Sequence, residues 1–453
     1  MSEPSPPAAC TAANQRNRLK RILSARQRAP TPAELAELDI VLQRVNPERV
    51  PGAARSAYVG TNALTLTRDT LNTLRPTGYV FHKVNGIGAL GAMWPVRAGM
   101  PADTMVFLRR NGVFAIDGVP LPLRRGRVLI DGELCLRRRR LSAVERARLR
   151  TRIDCIVGYE YLEPDDDNAA NDDDYELCFA AHDMLVDDDA RASSTRARLG
   201  DALYVQELAM RLARLSAVTQ CAPFGDSDGE NAIAATAAQF AAAGRQPAVT
   251  VFFKRPYRAV DIRLALCTLP DSLHGIPLDG LVFAPGPGPY RVGQTNAELL
   301  KYKAWRDNTA DLVFVRGPDG VYRFFVVGAR NRARVISECL WLGDTDDERA
   351  VTQAALDMEA SRLAAGGDAS APLIFECEPS VADRAAFFAL RDAHAGDKLA
   401  LLAAAGQMLR WRPTGVLREE KTHPNSEPNF WSLVDALVNC VTVDDITRQI
   451  GAY

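Results

Sequence analysis

The stretch GYVFHKVNG, from Gly78 to Gly86, marks a change of texture in the chain. Before it the sequence is polar and proline-dotted. Here apolar residues fill the length of a strand, and the run closes on one lysine beside an Asn-Gly turn. Similar runs follow at TMVFL (Thr104–Leu108), RVLIDGEL (Arg127–Leu134) and YELCFAAHDML (Tyr175–Leu185), separated by turns and charged loops. They predict the strands of a mixed sheet. AVTVFFK (Ala248–Lys254) and LDGLVFAP (Leu278–Pro285) extend it, and PGPGPYRVG (Pro285–Gly293) then interrupts as a stiff loop. A second series, DLVFVRG, YRFFVVG and PLIFECE between Asp311 and Glu378, predicts a small β-barrel.

Helical signals are fewer. Leu203, Val205, Leu208, Leu212 and Leu215 lie near one face of a helix over Asp201–Val218, with Asp201 as its cap. Asn231–Ala243 is alanine-rich and reads as another helix, as does the insertion from about Asp344 to Gly367. The segment 1–45 is poor in large apolar residues and reads as a partly disordered extension leading into a short helix. At 453 residues the chain exceeds what one core usually organises. The expected division is an extension (1–45), a first domain (46–306), a second (307–428) and C-terminal helices (429–453) packing back near the junction.

Composition narrows the class. Hydrophobic residues make up 47% and charged residues 25%, ordinary for a globular chain, and no apolar run approaches the roughly 18 residues of a membrane span. Net charge is −1, from 55 Lys and Arg against 56 Asp and Glu, so this is no uniformly basic nucleic-acid coat. Charge is local: Arg137–Arg140 on one side, the acidic triplets Asp165–Asp167 and Asp172–Asp174 on the other. Both read as solvated surface. Nine cysteines are scattered without a CxxC pair, which disfavours structural zinc and suits reduced thiols in a soluble intracellular protein.

The order of the polar motifs carries the chemistry. Lys83-Val84-Asn85-Gly86 puts one amine at a sharp turn, and Asp131-Gly132-Glu133 brings two carboxylates into an apolar strand. Asp183 is an acid among apolar neighbours and must find a partner. Asp279-Gly280 adds an acid at a strand start, and Lys301 and Lys303 alternate with apolar residues, so both amines share a strand face. Arg418 and Lys421 follow in REEK. One nucleophile, several carboxylates for a metal and at least four cations form an inventory for attack on a nucleoside triphosphate.

In this order the motifs resemble those of the covalent nucleotidyltransferases, the superfamily of ATP-dependent DNA and RNA ligases and mRNA capping enzymes. Three details resemble the capping guanylyltransferases in particular: KYKAWRDNTADLVF (Lys301–Phe314), FFKRPY (Phe252–Tyr257) and REEKTHPNS (Arg418–Ser426). The resemblance covers roughly Asn46 to the C-terminus. It implies an α+β fold, an ATP-grasp-like mixed-sheet nucleotidyltransferase domain followed by an OB-fold barrel. It also implies transfer of GMP from GTP through a lysyl-GMP intermediate to the 5′-diphosphate end of RNA, with Mg2+ or Mn2+.

In that scheme Lys83 attacks the α-phosphorus, and Lys301, Lys303 and the metal favour its neutral amine. Asn85, Gly86 and Glu133 border the nucleotide, and Glu133 and Asp279 hold the metal. Asp183 flanks the base pocket, either His182 or Phe179 stacks on guanine, and Lys254 donates to the guanine oxygen. Arg418 and Lys421 reach the outer phosphates when the barrel closes. Asn85 and Gly88 depart from the family's Asp and Arg, Glu420 stands for an Asp, and Val416 stands where an arginine is usual, with Arg412 a substitute if the strand bulges. The alternatives are a polynucleotide ligase forming lysyl-AMP and a catalytically silent RNA-binding relative. No triphosphatase or methyltransferase segment is visible, so those steps would fall to separate partners, in a nucleus or a cytoplasmic viral factory.

Overall fold

The computed structural model describes residues 8–46, 60–95, 103–109, 112–119, 126–138, 175–188, 247–254, 256–262, 278–303, 308–329, 332–364, 373–418 and 423–451, with Leu208, Arg211, Leu212, Leu215, Ile276, Trp305 and Lys421. Helices α1 (Ala8–Arg26) and α2 (Pro32–Val45) come first, then β1 (Asn62–Thr65), α3 (Arg68–Leu71), β2 (Tyr79–Val84) and β3 (Ile87–Met93). Strands β4 (Met105–Arg109), β5 (Gly112–Ile116), β6 (Val128–Arg138), β7 (Tyr175–Asp187), β8 (Thr250–Phe253), β9 (Tyr257–Arg258), β10 (Leu278–Ala284) and β11 (Thr295–Tyr302) complete the first half. The second half runs β12 (Ala310–Arg316), β13 (Tyr322–Val327), β14 (Ala333–Ser337), α4 (Asp346–Ala364), β15 (Phe375–Val381), α5 (Arg384–Ala393), α6 (Lys398–Met408), β16 (Leu409–Leu417), α7 (Glu427–Val438) and α8 (Val443–Gly451).

Among the described residues the strands form three sheets, in the orders β5-β4-β3-β6-β7-β8, β1-β11-β10-β2-β9 and β14-β13-β12-β15-β16. Alternate residues of the six-stranded sheet enter opposite cores. Met105, Phe107, Ile130 and Phe179 meet Leu19, Ile22 and Leu23 of α1, while Val106, Leu108 and Leu129 meet Leu38, Val41 and Leu42 of α2. A sheet covered on both faces has no solvent side, which is why its strands read as near-continuous apolar runs rather than alternating ones.

The fold is α+β, as the motif order implies. Three features differ from the expectations or refine them. The N-terminal stretch is not merely a tail: α1 packs on the first sheet and α2 starts with a reciprocal cap between Thr31 and Glu34. The third sheet is antiparallel along its ladders and packs on α4, α5, α6 and α7, and a parallel bridge from Leu340 to Trp411 links the chain just past β14 to β16, its two edge strands. The insertion forms α4, whose Glu348 pairs with Arg412. The acidic triplets, Asn231–Ala243 and most of Asp201–Val218 lie outside the described residues; Leu208, Arg211, Leu212 and Leu215 are buried, at the spacing of one helical face. Among the described residues no helix is long and apolar enough to cross a membrane.

Candidate active site

The geometry around Lys83 follows from strand register. Leu278 of β10 pairs with Val84 and Leu281 with His82, so Asp279 and Gly280 bulge opposite Lys83. Gly280 has φ +114°, and a Cβ there would stand 2.0 Å from the Tyr302 carbonyl oxygen and 3.3 Å from the Lys303 Cα. Only glycine fits, and it pins the bulge to the end of β11. Phe81, Val282 and Lys301 are directly opposed across β2, β10 and β11, so their side chains share one face, and Lys83, two residues after Phe81, belongs to it. β2 and β11 are two strand spacings apart, about 10 Å.

The turn after Lys83 rests on β6. A Cβ on Gly86 would lie 2.7 Å from the Leu134 carbonyl oxygen and 3.3 Å from the Cβ of Glu133, so Asn85-Gly86 brings the lysine's strand against the carboxylate strand. Burial pushes the Glu133 carboxyl up, but Lys254, Lys83 and His182 together outweigh it and hold the group below its ordinary value. Lys254 Nζ is 3.2 Å from Glu133 Oε1, while Oε2 is buried and has no hydrogen-bond partner among the described residues.

Glu133, Lys254 and His182 border a cleft whose apolar lining includes Phe81, Val282 and Pro285. His182 is one of the two candidates for stacking on a base, and it stands in this cleft. Phe179 is fully buried, edge-on to Phe107 at 5.2 Å between ring centres, and belongs to the core. His82, beside the nucleophile in sequence, is on the other face of β2 against Tyr257, 5.3 Å between ring centres.

No protein-family model matches the chain, and no curated protein matches it in sequence. Solved structures overlap it at low similarity. A mycobacterial DNA ligase D complexed with ATP and MES has a TM-score of 0.32 and 15% identity, over 82% of this chain and 97% of that one. The ligase domain of M. tuberculosis LigD has a TM-score of 0.28 and 14% identity over 80% and 96%, and the ATP-dependent DNA ligase of bacteriophage T7 complexed with ATP has 0.25 and 11% over 73% and 94%. At such scores the likeness decides nothing about this chain, and the site stands on its own geometry.

The remaining expected residues fall in three places. Lys301 and Lys303 border the bulge, as above. Asp279 occupies the bulge itself, and its side chain lies outside the described residues. Arg418 and Lys421 lie beyond β16, both on Asp311 of β12: Arg418 Nη1 donates to Asp311 Oδ1 at 2.6 Å and to Glu376 at 3.0 Å, and Lys421 donates to Asp311 Oδ2. Arg412 is fully buried on Glu378 (2.6 Å) and Glu348 (3.3 Å), which makes it a core ion-pair residue and not a substitute phosphate ligand.

The structure adds two residues that sequence reading passed over. Arg211 grips Asp183 with both ends of its guanidinium, Nε to Oδ1 at 2.8 Å and Nη2 to Oδ2 at 3.0 Å, although burial still pushes the Asp183 carboxyl up. Tyr290 donates its hydroxyl to Asp131. A signal for the first was present, since position 211 falls on the same helical face as Leu208, Leu212 and Leu215, where a charge must have a partner.

Proposed function

We propose that the chain is a covalent nucleotidyltransferase in which Lys83 takes a nucleoside monophosphate from a triphosphate and passes it to the 5′ phosphate end of a polynucleotide. The observation that carries this reading is the placement of Lys83: opposite the β10 bulge, on one sheet face with Lys301, beside the Glu133 strand. The neutral amine attacks the α-phosphorus, a P–N bond forms, the bond to pyrophosphate breaks, and the amine proton leaves to solvent or phosphate. In the second step the terminal phosphate oxygen of the polynucleotide displaces Lys83 and the amine is reprotonated. Lys301 and Lys303 offset charge building on the phosphate oxygens.

The residues fit a divalent ion that is held mostly by its substrate. Among the described residues no group of three or more His, Cys, Asp or Glu side chains could hold a metal ion. The buried Glu133 Oε2, with no hydrogen-bond partner among the described residues, nonetheless offers one hard oxygen, which suits Mg2+ or Mn2+ shared with phosphates and water. Such an ion would supply charge neutralisation at the triphosphate.

The finer reading is guanylyl transfer to 5′-diphosphate RNA. It is supported by the capping-type motifs and by Lys254, a buried ammonium at the polar side of the cleft. With one proton on Glu133, it keeps two for a carbonyl oxygen such as that of guanine. An RNA triphosphatase would then supply the diphosphate end and a methyltransferase would act on the product. The second reading, adenylyl transfer by a polynucleotide ligase, is favoured by Asn85, since KxNG occurs in some RNA ligases of this superfamily.

One experiment separates them. Protein is incubated with α-labelled GTP or ATP and Mg2+ or Mn2+ and run on a denaturing gel. Guanylyl transfer predicts label from GTP alone, and Lys83→Ala reduces it at least a thousandfold, as loss of a nucleophile does. Label from ATP alone replaces the guanylyl reading with the ligase one. Equal labelling of Lys83→Ala sinks both.

A further inference from the structure

Asp131 and Asp183 sit directly opposite each other on β6 and β7, at 4% and 5% exposure. Both carboxylates are engaged by partners that lead to the same loop, residues 285–293. Asp131 accepts the Tyr290 hydroxyl, whose oxygen also accepts the Thr61 amide at 2.8 Å. Asp183 holds Arg211, and Arg211 Nη1 donates to the Gly288 carbonyl oxygen at 3.2 Å, with the guanidinium 5.9 Å from the centre of the Tyr290 ring. The loop is stiff by composition, with Pro285, Pro287 and Pro289, and Gly288 at φ +117° lets it turn. It lines the cleft together with Glu133 and Lys254. His182 Nε2 is 3.6 Å from the same Asp131 oxygen that accepts the Tyr290 hydroxyl.

We propose that Asp131 and Asp183 are positioning residues: through Tyr290 and Arg211 they anchor loop 285–293 and thereby fix the wall on which the nucleobase lies, Asp183 reaching the cleft's lining but committed to Arg211 rather than to the nucleotide. The inference rests on the nucleotide reading above. It differs from the role that the motif resemblance implies for Asp183, a direct neighbour of the base. A carboxylate gripped at both oxygens by a buried guanidinium has little left to offer a ligand. A wall fixed before binding spares the ligand the entropy of ordering it, so loosening it weakens binding more than chemistry.

The test uses Tyr290→Phe, which removes one oxygen, and Arg211→Lys, which keeps the charge and loses the fork. In each, KM for the triphosphate rises about tenfold while kcat for lysine labelling stays within about twofold, the pattern of lost uniform binding. Hydrogen exchange rises in residues 285–293 and not in β3 or β6. Unchanged exchange in the loop, or unchanged KM, overturns the proposal, as does a fall in kcat at constant KM, which would assign these groups to the chemistry. Should Arg211→Lys fail to fold, Tyr290→Phe carries the test. If the parent protein takes label from no triphosphate, the nucleotide reading falls by itself, and loop exchange in Tyr290→Phe still decides whether Asp131 anchors the wall.

Discussion

Glu133 shows how one side chain here is defined by what opposes it. Burial alone would favour its neutral acid, yet Lys254 at 3.2 Å, with Lys83 and His182 behind it, keeps it ionised and below its ordinary value of 4.5. Lys254 is 3% exposed, so an ammonium there depends on its carboxylate. Replacing Glu133 by Gln leaves a buried charge with a weaker acceptor, and the expected loss at neutral pH is about 3 kcal/mol, near the low end for breaking a buried pair. The sign of the pH dependence follows from the lowered value. The contribution is fully present above pH 4.5 and is lost as pH falls through the folded value, so parent and Glu133→Gln converge in acid. Urea unfolding at pH 7 and at successive steps below pH 4.5 follows the loss; a gap between the two proteins that does not shrink as pH falls would mean the carboxylate charge is not the source. Cys135 sits nearby, with burial pushing its thiol up to about 12, which makes it an inert core residue rather than a second nucleophile.

At the scale of elements, α2 is held by a clip at its start. Thr31 accepts from the Glu34 amide at 3.2 Å, Glu34 accepts from the Thr31 amide at 2.7 Å, and Arg28 joins Glu34 at 2.6 Å to Asp117 beyond β5 at 2.7 Å. Thr31→Ala removes one half of the box and is expected to cost about 1 kcal/mol. Thermal unfolding checks it, and a variant as stable as the parent would show that Arg28 and Glu34 hold the helix start alone. The box was readable in the sequence as Thr31-x-x-Glu34, but composition drew attention to the segment's prolines and arginines instead. The strands were legible because apolar runs survive in a doubly covered sheet, and Lys83 was legible because a lone lysine ends one of them. Register was not. Nothing in LDGLVFAP says that Asp279-Gly280 bulges toward Lys83, since that depends on how β10 slides on β2 and on the Tyr302 carbonyl behind Gly280. The partner of Asp131 was equally hidden, because Tyr290 is 159 residues away and pairs only in space.

The whole molecule is tied together by its ends. Leu19, Ile22 and Leu23 of α1 enter the core of the six-stranded sheet, while Lys20 Nζ, from the same helix, donates to the Leu417 carbonyl oxygen at 3.1 Å, at the end of β16 in the third sheet. That oxygen precedes Arg418, so the helix that covers the first sheet also touches the segment whose cations sit on Asp311. At the other terminus Phe430 and Val434 of α7 enter the third sheet's core, and Ile446 and Ile450 of α8 enter the core beside β2 and β10. Two such ties predict that the sheets do not open independently. Leu23 is 3% exposed, and Leu23→Asp would place a charge in the first sheet's core, which α1 can avoid only by leaving its groove. Detachment removes the Lys20 tie along with the apolar contacts, so hydrogen exchange is expected to quicken in β6 and β7 and also in β16, on a sheet the mutated side chain does not enter. Faster exchange confined to the first sheet would show that α1 covers one core and leaves the other to stand alone. Quickening in both would make the N-terminal helix the element through which the position of Arg418 depends on the sheet that carries Glu133.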